Sequence, residues 1–382
     1  MRLLYFSPVS AGSYAQRPHF MVRAWLAWGV ESVLWVNPYP CRLPCPRDLR
    51  RPRNLDDQGT PLDARVRVLD VPALPIEPLP WGAWLNRRLL WAKAWREIAQ
   101  FAAQGATILG VGRPSALALV ALDELKHEAS FFDAMDNFPE FHRGLSRRAM
   151  RRHENAVAAR VDLVVASSTF LAEKFAQSGL RVEKVLNACE LPQFSVANHH
   201  SPIINHSSPV LGYVGCIGRW FDWPLVLRLA EAMPQASVEL VGPCVVPPPS
   251  GRKLPGNVRL LPACRQSEAA DHLARFSAGL IPFRPSALTD GVDPIKYYDY
   301  RAAGLPVLST RFGEMAKRGR ADDVYFFDEG DGVADAAAAA LAGRRDHDAT
   351  NRFRRENNWT ARFKQSSVLR SLAASARKRD AA

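Results

Sequence analysis

Short apolar runs typical of buried strands alternate with helix-forming stretches along almost the whole chain. The first half opens with LLYFSP, a polar loop, the helix-forming MVRAWLAWG and the strand-like SVLWVNP, and the second half restarts this alternation at VLGYVG. Such alternation predicts parallel sheets covered by helices. Because 382 residues exceed one ordinary core, we predict two doubly wound α/β domains.

A change in composition between Glu190 and Pro209 marks the predicted boundary. Polar residues, proline and three histidines (His199, His200 and His206) replace the apolar pattern there, which is typical of a linker. We predict a first domain at 1–190, a linker at 191–209, a second domain at 210–355 and a terminal helical segment at 356–382. The histidines are interpreted as solvated rather than as metal ligands.

The net charge of +12 and the isoelectric point near 9.7 favour an anionic partner: nucleic acid, lipid or a nucleotide. The sequence lacks a basic motif interleaved with aromatic platforms, which argues against nucleic acid. Several basic residues instead lie beside tryptophan and leucine in the stretch 81–104, which is predicted as one amphipathic helix. That helix either lies in an anionic membrane surface or packs on the core, and core packing is the preferred alternative.

Other features limit the location and the chemistry. No apolar run is long enough to span a bilayer, and MRLLYFSPVS is interpreted as a buried strand rather than a signal peptide. We therefore expect a cytoplasmic protein that is either free or peripheral on the inner face of the cytoplasmic membrane. The six scattered cysteines do not form a zinc pattern, and Asp346-His347-Asp348 is interpreted as a chance acid-x-acid match. No metal cofactor is expected.

The segment Gly291–Thr310, GVDPIKYYDYRAAGLPVLST, carries the most specific chemistry. Pro294 is suited to a helix start, and Lys296 lies in the first turn, where backbone N–H groups favour anions. Asp299 follows one turn later on the same face. A diphosphate on the lysine and a sugar hydroxyl on the aspartate would make a nucleotide-sugar site. The alternative is a surface ion pair on an ordinary helix.

The stretch GYVGCIGRWFDW at 212–223 is the first loop of the second domain. Gly215 and Gly218 would let the backbone approach a phosphate, and Arg219 would neutralise its charge. Glycines after strands are also ordinary loop residues.

Both segments resemble the donor site of two-domain, GT-B type glycosyltransferases of the family-4 class, whose pattern is roughly Pro-x-Lys-x-x-Glu-Tyr-x-Ala-x-Gly-x-Pro-Val. The resemblance implies two Rossmann-like domains facing a cleft, with the last helix crossing back onto the first domain. It also implies a nucleotide-diphosphate sugar as donor. By the same resemblance, further donor contacts fall on Gly242, Arg265, Asp290 and Tyr297. The chain departs from the family at Gly291 and Leu225, where a glutamate and a lysine are common.

An acidic segment, FFDAMDNFPEF at 131–141, follows a predicted strand. An acid at the carboxyl end of a sheet strand is well placed for a general base, and the segment resembles that of exopolysaccharide glucuronosyltransferases. Asp136 is the predicted base, with capping of the next helix as the alternative, and His142 is the second candidate. The stretch AGSYAQRPHF at 11–20 resembles the same subgroup and implies acceptor or cleft contacts for Gly12, Gln16, Arg17 and His19. The alternative for His19 is a structural residue at a helix start whose ring nitrogens are satisfied by hydrogen bonds within the protein.

Together these features predict a hexosyl-type glycosyltransferase. It would move a sugar from a nucleotide-diphosphate donor such as a UDP-sugar to a lipid-linked or glycan acceptor in bacterial polysaccharide or cell-envelope biosynthesis. The sequence leaves inversion or retention open. Two alternatives stay open as well: a nucleotide-sugar epimerase of the same architecture, and a basic scaffold that binds membrane or nucleic acid without catalysis.

Overall fold

The computed structural model describes residues 1–44, 61–190, 208–249, 253–327, 332–343 and 346–380. The chain divides into two compact units, one formed by Met1–Leu186 with Phe363–Ala382 and the other by Asn187–Arg362. Most of the predicted linker, including His199, His200 and His206, lies outside the described residues.

The described part of the first unit contains a seven-stranded parallel sheet. Its strands are β1 (Arg2–Phe6), β2 (Ser32–Val36), β3 (Val66–Leu69), β4 (Thr107–Val111), β5 (Ala129–Ala134), β6 (Leu163–Ala166) and β7 (Val182–Lys184). Their order in the sheet is β3-β2-β1-β4-β5-β6-β7. The central strands are buried along their length, as expected for a parallel sheet with both faces covered.

Helices connect these strands, as the alternation predicts. They are α1 (Arg17–Ala27), α2 (Gly82–Leu89), α3 (Ala92–Ala103), α4 (Ala116–Glu124), α5 (Gly144–Ala158) and α6 (Thr169–Ala176), with a short 3-10 helix at Phe138–Phe141. The side chains of Ser115 and Ser168 cap α4 and α6 by accepting hydrogen bonds from backbone N–H groups of the first turn.

The prediction of a single helix over 81–104 is wrong, because α2 ends at Leu89 and α3 begins at Ala92. The backbone N–H groups of Leu90 and Trp91 both donate to the carbonyl of Asn86, which interrupts the regular helical pattern. Trp91 is buried and meets the Tyr39 ring edge-on at 5.6 Å. The Trp91 side chain is therefore buried at the point where the chain passes from α2 to α3.

The described part of the second unit contains a six-stranded parallel sheet. Its strands are β8 (Val210–Val214), β9 (Ser237–Val241), β10 (Val258–Leu261), β11 (Ala278–Ile281), β12 (Val307–Ser309) and β13 (Val324–Phe326). They lie in the order β10-β9-β8-β11-β12-β13. The helices are α7 (Trp223–Ala232), α8 (Gln266–Arg275), α9 (Ile295–Ala302), α10 (Val333–Ala342) and α11 (His347–Glu356), with 3-10 turns at Gly313–Lys317 and Arg320–Asp322.

The terminal segment forms two helices, α12 (Trp359–Gln365) and α13 (Ser367–Asp380), where the sequence analysis predicts one. Glu183 of β7 accepts hydrogen bonds from the Ser366 hydroxyl and from the backbone N–H groups of Val368 and Leu369. A carboxylate at a helix N-terminus is favourable. This contact fixes α13 on the first unit, so the prediction that the last helix returns to the first domain is confirmed.

In each sheet the order in which successive strands are added reverses at one point, although all strands stay parallel. The strand order turns back between neighbouring β1 and β4 in the first unit and between β8 and β11 in the second. In such sheets the crevice beyond the carboxyl ends of these two strands is the usual ligand site. The predicted fold of two doubly wound parallel-sheet domains is confirmed. No helix among the described residues is long and apolar enough to cross a membrane.

Candidate functional site

The donor segment folds largely as predicted. Pro294 is the N-cap of α9, Lys296 is the second helical residue, and Gly304 follows the C-cap with φ of 72°. A left-handed glycine after the last turn is a common helix stop. Since α9 follows β11, its first turn lies at the reversal point of the second sheet.

The side chain of Lys296 lies directly against Gly215, which follows β8. A Cβ built on Gly215 would be only 2.5 Å from the Lys296 Nζ atom, and Gly215 has φ of 143°. Gly242, after β9, has φ of 135° and leaves no room for a Cβ because the Gly215 carbonyl lies against it. These two glycines therefore allow three chain segments to converge around one ammonium group.

The Lys296 ammonium has an aromatic rather than an acidic surrounding. Its Nζ lies 5.1 Å from the ring centre of Tyr213 and 5.9 Å from that of Phe283. Among the described residues, no carboxylate is within salt-bridge distance of Lys296. Burial lowers the pKa of Lys296, and the charge of Asp299 opposes that decrease. Burial in turn raises the pKa of Asp299 to about 7. A desolvated cation without a close counter-ion favours an anionic ligand.

The other predicted donor residues lie on loops at the same edge of the sheet. Gly218 is buried, and a Cβ on it would collide with the ring of Trp220, so this glycine serves packing within its loop rather than ligand approach. Arg219 is exposed on that loop. Arg265 is exposed at the N-cap of α8, and Asp290 lies in the loop after β11, where burial raises its pKa.

Tyr297 does not match its predicted role. Its side chain is 5% exposed, the Arg318 guanidinium lies 3.8 Å from its ring centre, and Phe353 meets it edge-on at 5.8 Å. Burial raises the pKa of Tyr297 to about 12. Protein groups thus cover this ring, and the prediction that Tyr297 contacts the donor is wrong.

Sequence reasoning missed a buried network that supports the start of α9. The carboxylate of Asp293 forms an ion pair with Arg318 at 2.8 Å and accepts hydrogen bonds from the Tyr298 hydroxyl at 2.9 Å and from the Asn187 backbone N–H at 2.8 Å. The Asn187 side chain also donates to the Asp293 carbonyl. Asp293 is fully buried at its carboxylate, so four groups hold the residue that precedes the N-cap.

We expect Arg318→Met to destabilise the protein by about 3 kcal/mol, because it leaves the Asp293 carboxylate buried without its cation. Urea unfolding followed by circular dichroism measures this loss. Lys317→Met is the matched control, since Lys317 is exposed beside it and should change stability by less than about 0.5 kcal/mol. Equal stabilities of the two variants would contradict a supporting role for this ion pair.

In the first unit, Arg17 and Asp133 form a buried ion pair. The Arg17 Nε atom lies 2.8 Å from Asp133 Oδ1, and both side chains are 0% exposed. Arg17 also donates to the carbonyl of Val185 at 2.7 Å. The guanidinium is enclosed by protein, so the prediction that Arg17 contacts an acceptor is wrong. It instead ties α1 to β5 and to the chain after β7.

Asp136 lies two residues beyond the end of β5. Burial raises the pKa of Asp136 to about 7, the nearby Arg17 charge opposes the increase, and Asp133 adds to it. The following 3-10 helix has Asn137 as its N-cap, so the capping alternative does not describe Asp136. A carboxyl group that titrates near neutrality is suited to general base chemistry. His142 follows the same 3-10 helix.

His19 organises the loop after β1. Its Nδ1 accepts from the Gln16 backbone N–H at 3.2 Å, its Nε2 lies 3.3 Å from the Ala11 carbonyl, and its ring packs on Trp35. These partners fit the neutral tautomer protonated at Nε2, and burial lowers the pKa of His19. The alternative of a satisfied ring is therefore confirmed. Gly12 remains exposed on this loop, and Gln16 is half-buried.

A small pocket at the reversal point of the first sheet was also missed. Its lining includes Ser7 after β1, Asn37 after β2, and Arg113 and Ser115 after β4. Arg113 is half-buried. The signal available in the sequence was that these polar residues lie at or shortly after the ends of strand-like runs. The cavity has a volume of only about 10 Å³, which is room for about one water molecule.

In the described part of the chain, no three His, Cys, Asp or Glu side chains cluster as possible metal ligands. The Asp346 side chain caps α11 by accepting from the Ala349 backbone N–H at 2.9 Å. Its local role is therefore that of a helix cap.

Known proteins resemble this chain over more of its length in fold than in sequence. No protein-family model matches the chain. In sequence it is 26% identical over 237 residues to "Putative teichuronic acid biosynthesis glycosyltransferase TuaH" of Bacillus subtilis, and the match spans 57% of this chain and 59% of that relative. The chain thus matches less than two thirds of the relative's length.

Solved structures match over nearly the whole chain. Sucrose-phosphate synthase from Thermosynechococcus elongatus is 14% identical with a TM-score of 0.67, covering 98% of this chain and 99% of that one. HepE from Anabaena, in complex with UDP and glucose, is 14% identical with a TM-score of 0.60 over 97% and 99%. An α,α-trehalose-phosphate synthase (UDP-forming) from Burkholderia xenovorans is 15% identical with a TM-score of 0.61 over 97% and 99%. The chain therefore has the two-domain GT-B fold, and its resemblance to GT-B glycosyltransferases is confirmed at the level of that fold.

Proposed function

We propose that this protein is a glycosyltransferase that moves a hexosyl group from a nucleotide-diphosphate sugar to a lipid-linked or glycan acceptor. One observation carries the proposal: the Lys296 ammonium lies against Gly215 at the reversal point of the second sheet, with no close carboxylate among the described residues. A cation held there, beside the first turn of α9, is suited to a diphosphate.

The residues around Lys296 would stabilise the negative charge that develops on the donor during transfer. As the bond between the sugar and the diphosphate breaks, negative charge gathers on the departing nucleoside diphosphate. Lys296 and the backbone N–H groups of the α9 start would stabilise that charge, and the exposed Arg219 supplies a second cation on the neighbouring loop. Asp299, one turn along α9, would accept a hydrogen bond from a sugar hydroxyl. This scheme works without a metal.

The comparisons support the choice of donor and pathway. HepE holds UDP and glucose, and the trehalose-phosphate synthase is named as UDP-forming, which favours a UDP-hexose donor. The name of TuaH refers to teichuronic acid biosynthesis. We therefore place the reaction in bacterial polysaccharide or cell-envelope synthesis, with the protein in the cytoplasm or on the inner face of its membrane.

The acceptor would bind the first unit. Arg113 is half-buried after β4, at the reversal point of the first sheet, and would offer a positive charge to a polar or anionic part of the acceptor. If the reaction inverts the anomeric centre, Asp136 removes the proton from the attacking hydroxyl. If the reaction retains it, Asp136 is not required as a base.

A thermal-shift screen against UDP, GDP and their sugars tests the proposal. We expect UDP and UDP-hexoses to raise the melting temperature in a saturable way, because ligands that bind only the folded state stabilise it. Consumption of the donor without an acceptor, and with a new sugar epimer as product, would instead favour the epimerase alternative. The absence of a saturable response to any nucleotide would contradict the proposal. It would favour the alternative of a basic scaffold that binds membrane or nucleic acid without catalysis.

A further inference from the structure

Helix α2 presents its apolar side to solvent. Trp81 is 54% exposed, Trp84 62% and Leu89 63%. Helical spacing puts these three side chains and Arg88 on one face. The core-packing interpretation of this stretch is therefore wrong for α2, although it holds for α3, whose Ala94, Ile98 and Phe101 are buried.

The opposite side of α2 explains why the helix sits this way. Gly82 lies so close to the Ile76 carbonyl that a Cβ would not fit. Asn86 is 0% exposed; its side chain accepts from the Leu74 backbone N–H at 2.8 Å and donates to the Leu74 carbonyl at 3.1 Å. A glycine and an asparagine thus hold α2 onto the segment before it, and the tryptophans necessarily point outward. Leu74 is itself 41% exposed and extends the apolar surface.

The exposed charges in the segment that carries this surface are cationic. Residues 72–96 are all described, and their only acid, Glu77, is buried. The exposed charged residues of this stretch are Arg87, Arg88, Lys93 and Arg96. Arg87 pairs with Glu124 on α4, and the Arg88 guanidinium lies 5.9 Å from the Trp84 ring centre. A cationic side chain therefore lies beside the exposed indole of Trp84, and further cations follow in the same segment.

We propose that this face, formed by Leu74, Trp81, Trp84, Arg88 and Leu89, docks on an anionic lipid bilayer. Tryptophan is enriched where hydrocarbon meets water, and basic side chains beside an apolar helix face bind anionic headgroups. A second copy of this chain would bring the same cations against them in a symmetric contact. Charge complementarity thus selects the bilayer. The proposal does not depend on the sugar-transfer activity, because binding to lipid needs neither donor nor acceptor.

Co-flotation of the full chain with vesicles tests this docking. We expect binding to vesicles of phosphatidylglycerol mixed with phosphatidylcholine, little binding to phosphatidylcholine alone, and release by salt. Trp81→Ser with Trp84→Ser should weaken binding at least about tenfold while leaving the melting temperature unchanged, since both side chains are exposed. In a second measurement, brominated lipids should quench part of the tryptophan fluorescence of the parent, and that part should disappear in Trp81→Phe with Trp84→Phe.

The chain offers a matched control for the basic and apolar pair Arg88 and Leu89. Arg259 and Leu260 are an adjacent, exposed arginine and leucine on β10 of the other unit. Arg88→Gln with Leu89→Ser should weaken vesicle binding, whereas Arg259→Gln with Leu260→Ser should not. Absence of binding to anionic vesicles would overturn the proposal. So would equal effects of the two pairs, or self-association or protein binding that the Trp81 and Trp84 variant abolishes instead.

Discussion

Lys296→Met is expected to weaken binding of UDP and UDP-sugars by about 10- to 100-fold, because it removes a charge-assisted contact to the diphosphate. The same variant should be at least as stable as the parent without ligand. Methionine keeps the stem that packs beside Tyr213 and Phe283, and the lost ammonium is one whose pKa burial lowers. Thermal shift with and without nucleotide measures both effects.

The pH of that experiment matters because of Asp299. Its pKa is raised to about 7, so near pH 6 the carboxyl is largely protonated and uncharged. Removal of the Lys296 charge then costs little electrostatic stabilisation of Asp299. Lys317→Met, which removes an exposed lysine of the same unit, should keep the parent's response to UDP. A Lys296 variant that still responds like the parent would show that the diphosphate binds elsewhere.

The donor segment was predictable because its signals are local. Proline at a helix start, a left-handed glycine after its end and an apolar strand beyond are properties of neighbouring residues. Their observed positions, Pro294, Gly304 and Val307–Ser309, agree with the sequence prediction. The two parallel, doubly wound sheets followed from the alternation of strands and helices along the chain.

Partners distant in sequence were not predictable in this way. Arg17 looks like an exposed loop cation, yet it pairs with Asp133, 116 residues away, in the core. Asp293 has no distinctive local pattern, yet it is the centre of a network that includes Arg318. Asn86 gave no sign that it would face inward and so turn Trp84 outward. In each case a tertiary hydrogen bond or ion pair decides the orientation of the side chain.

Asp136→Asn is expected to reduce sugar transfer by about 100- to 10,000-fold if Asp136 is the general base. Donor binding should not change, because Asp136 belongs to the first unit and the donor residues to the second. The parent's rate should rise with pH and reach half its maximum near pH 7, since the pKa of Asp136 is about 7 and only the ionised carboxylate accepts a proton. Initial rates with UDP-sugar and acceptor across this range measure both effects.

The stability of the parent should fall as the pH rises, whereas its transfer rate should increase. The folded-state pKa of Asp136 is raised from 3.8 to about 7, so the folded protein holds this proton more tightly than the unfolded chain. Its stabilising contribution is complete below about pH 4 and is lost as the pH rises through about 7. Asparagine does not titrate. The variant should therefore match the parent near pH 4 and be more stable by about 4 kcal/mol near pH 8, because each pKa unit corresponds to about 1.4 kcal/mol.

Two further variants separate this role from general damage to the segment. Asp133→Asn should destabilise the protein, because Arg17 would lose its buried counter-ion, whereas Asp136→Asn should not. His142→Gln removes the second candidate base and should leave most of the transfer rate. If Asp136→Asn keeps full turnover while His142→Gln loses it, His142 is the base. If both variants keep turnover, the reaction needs no base from this segment, as in the retaining scheme.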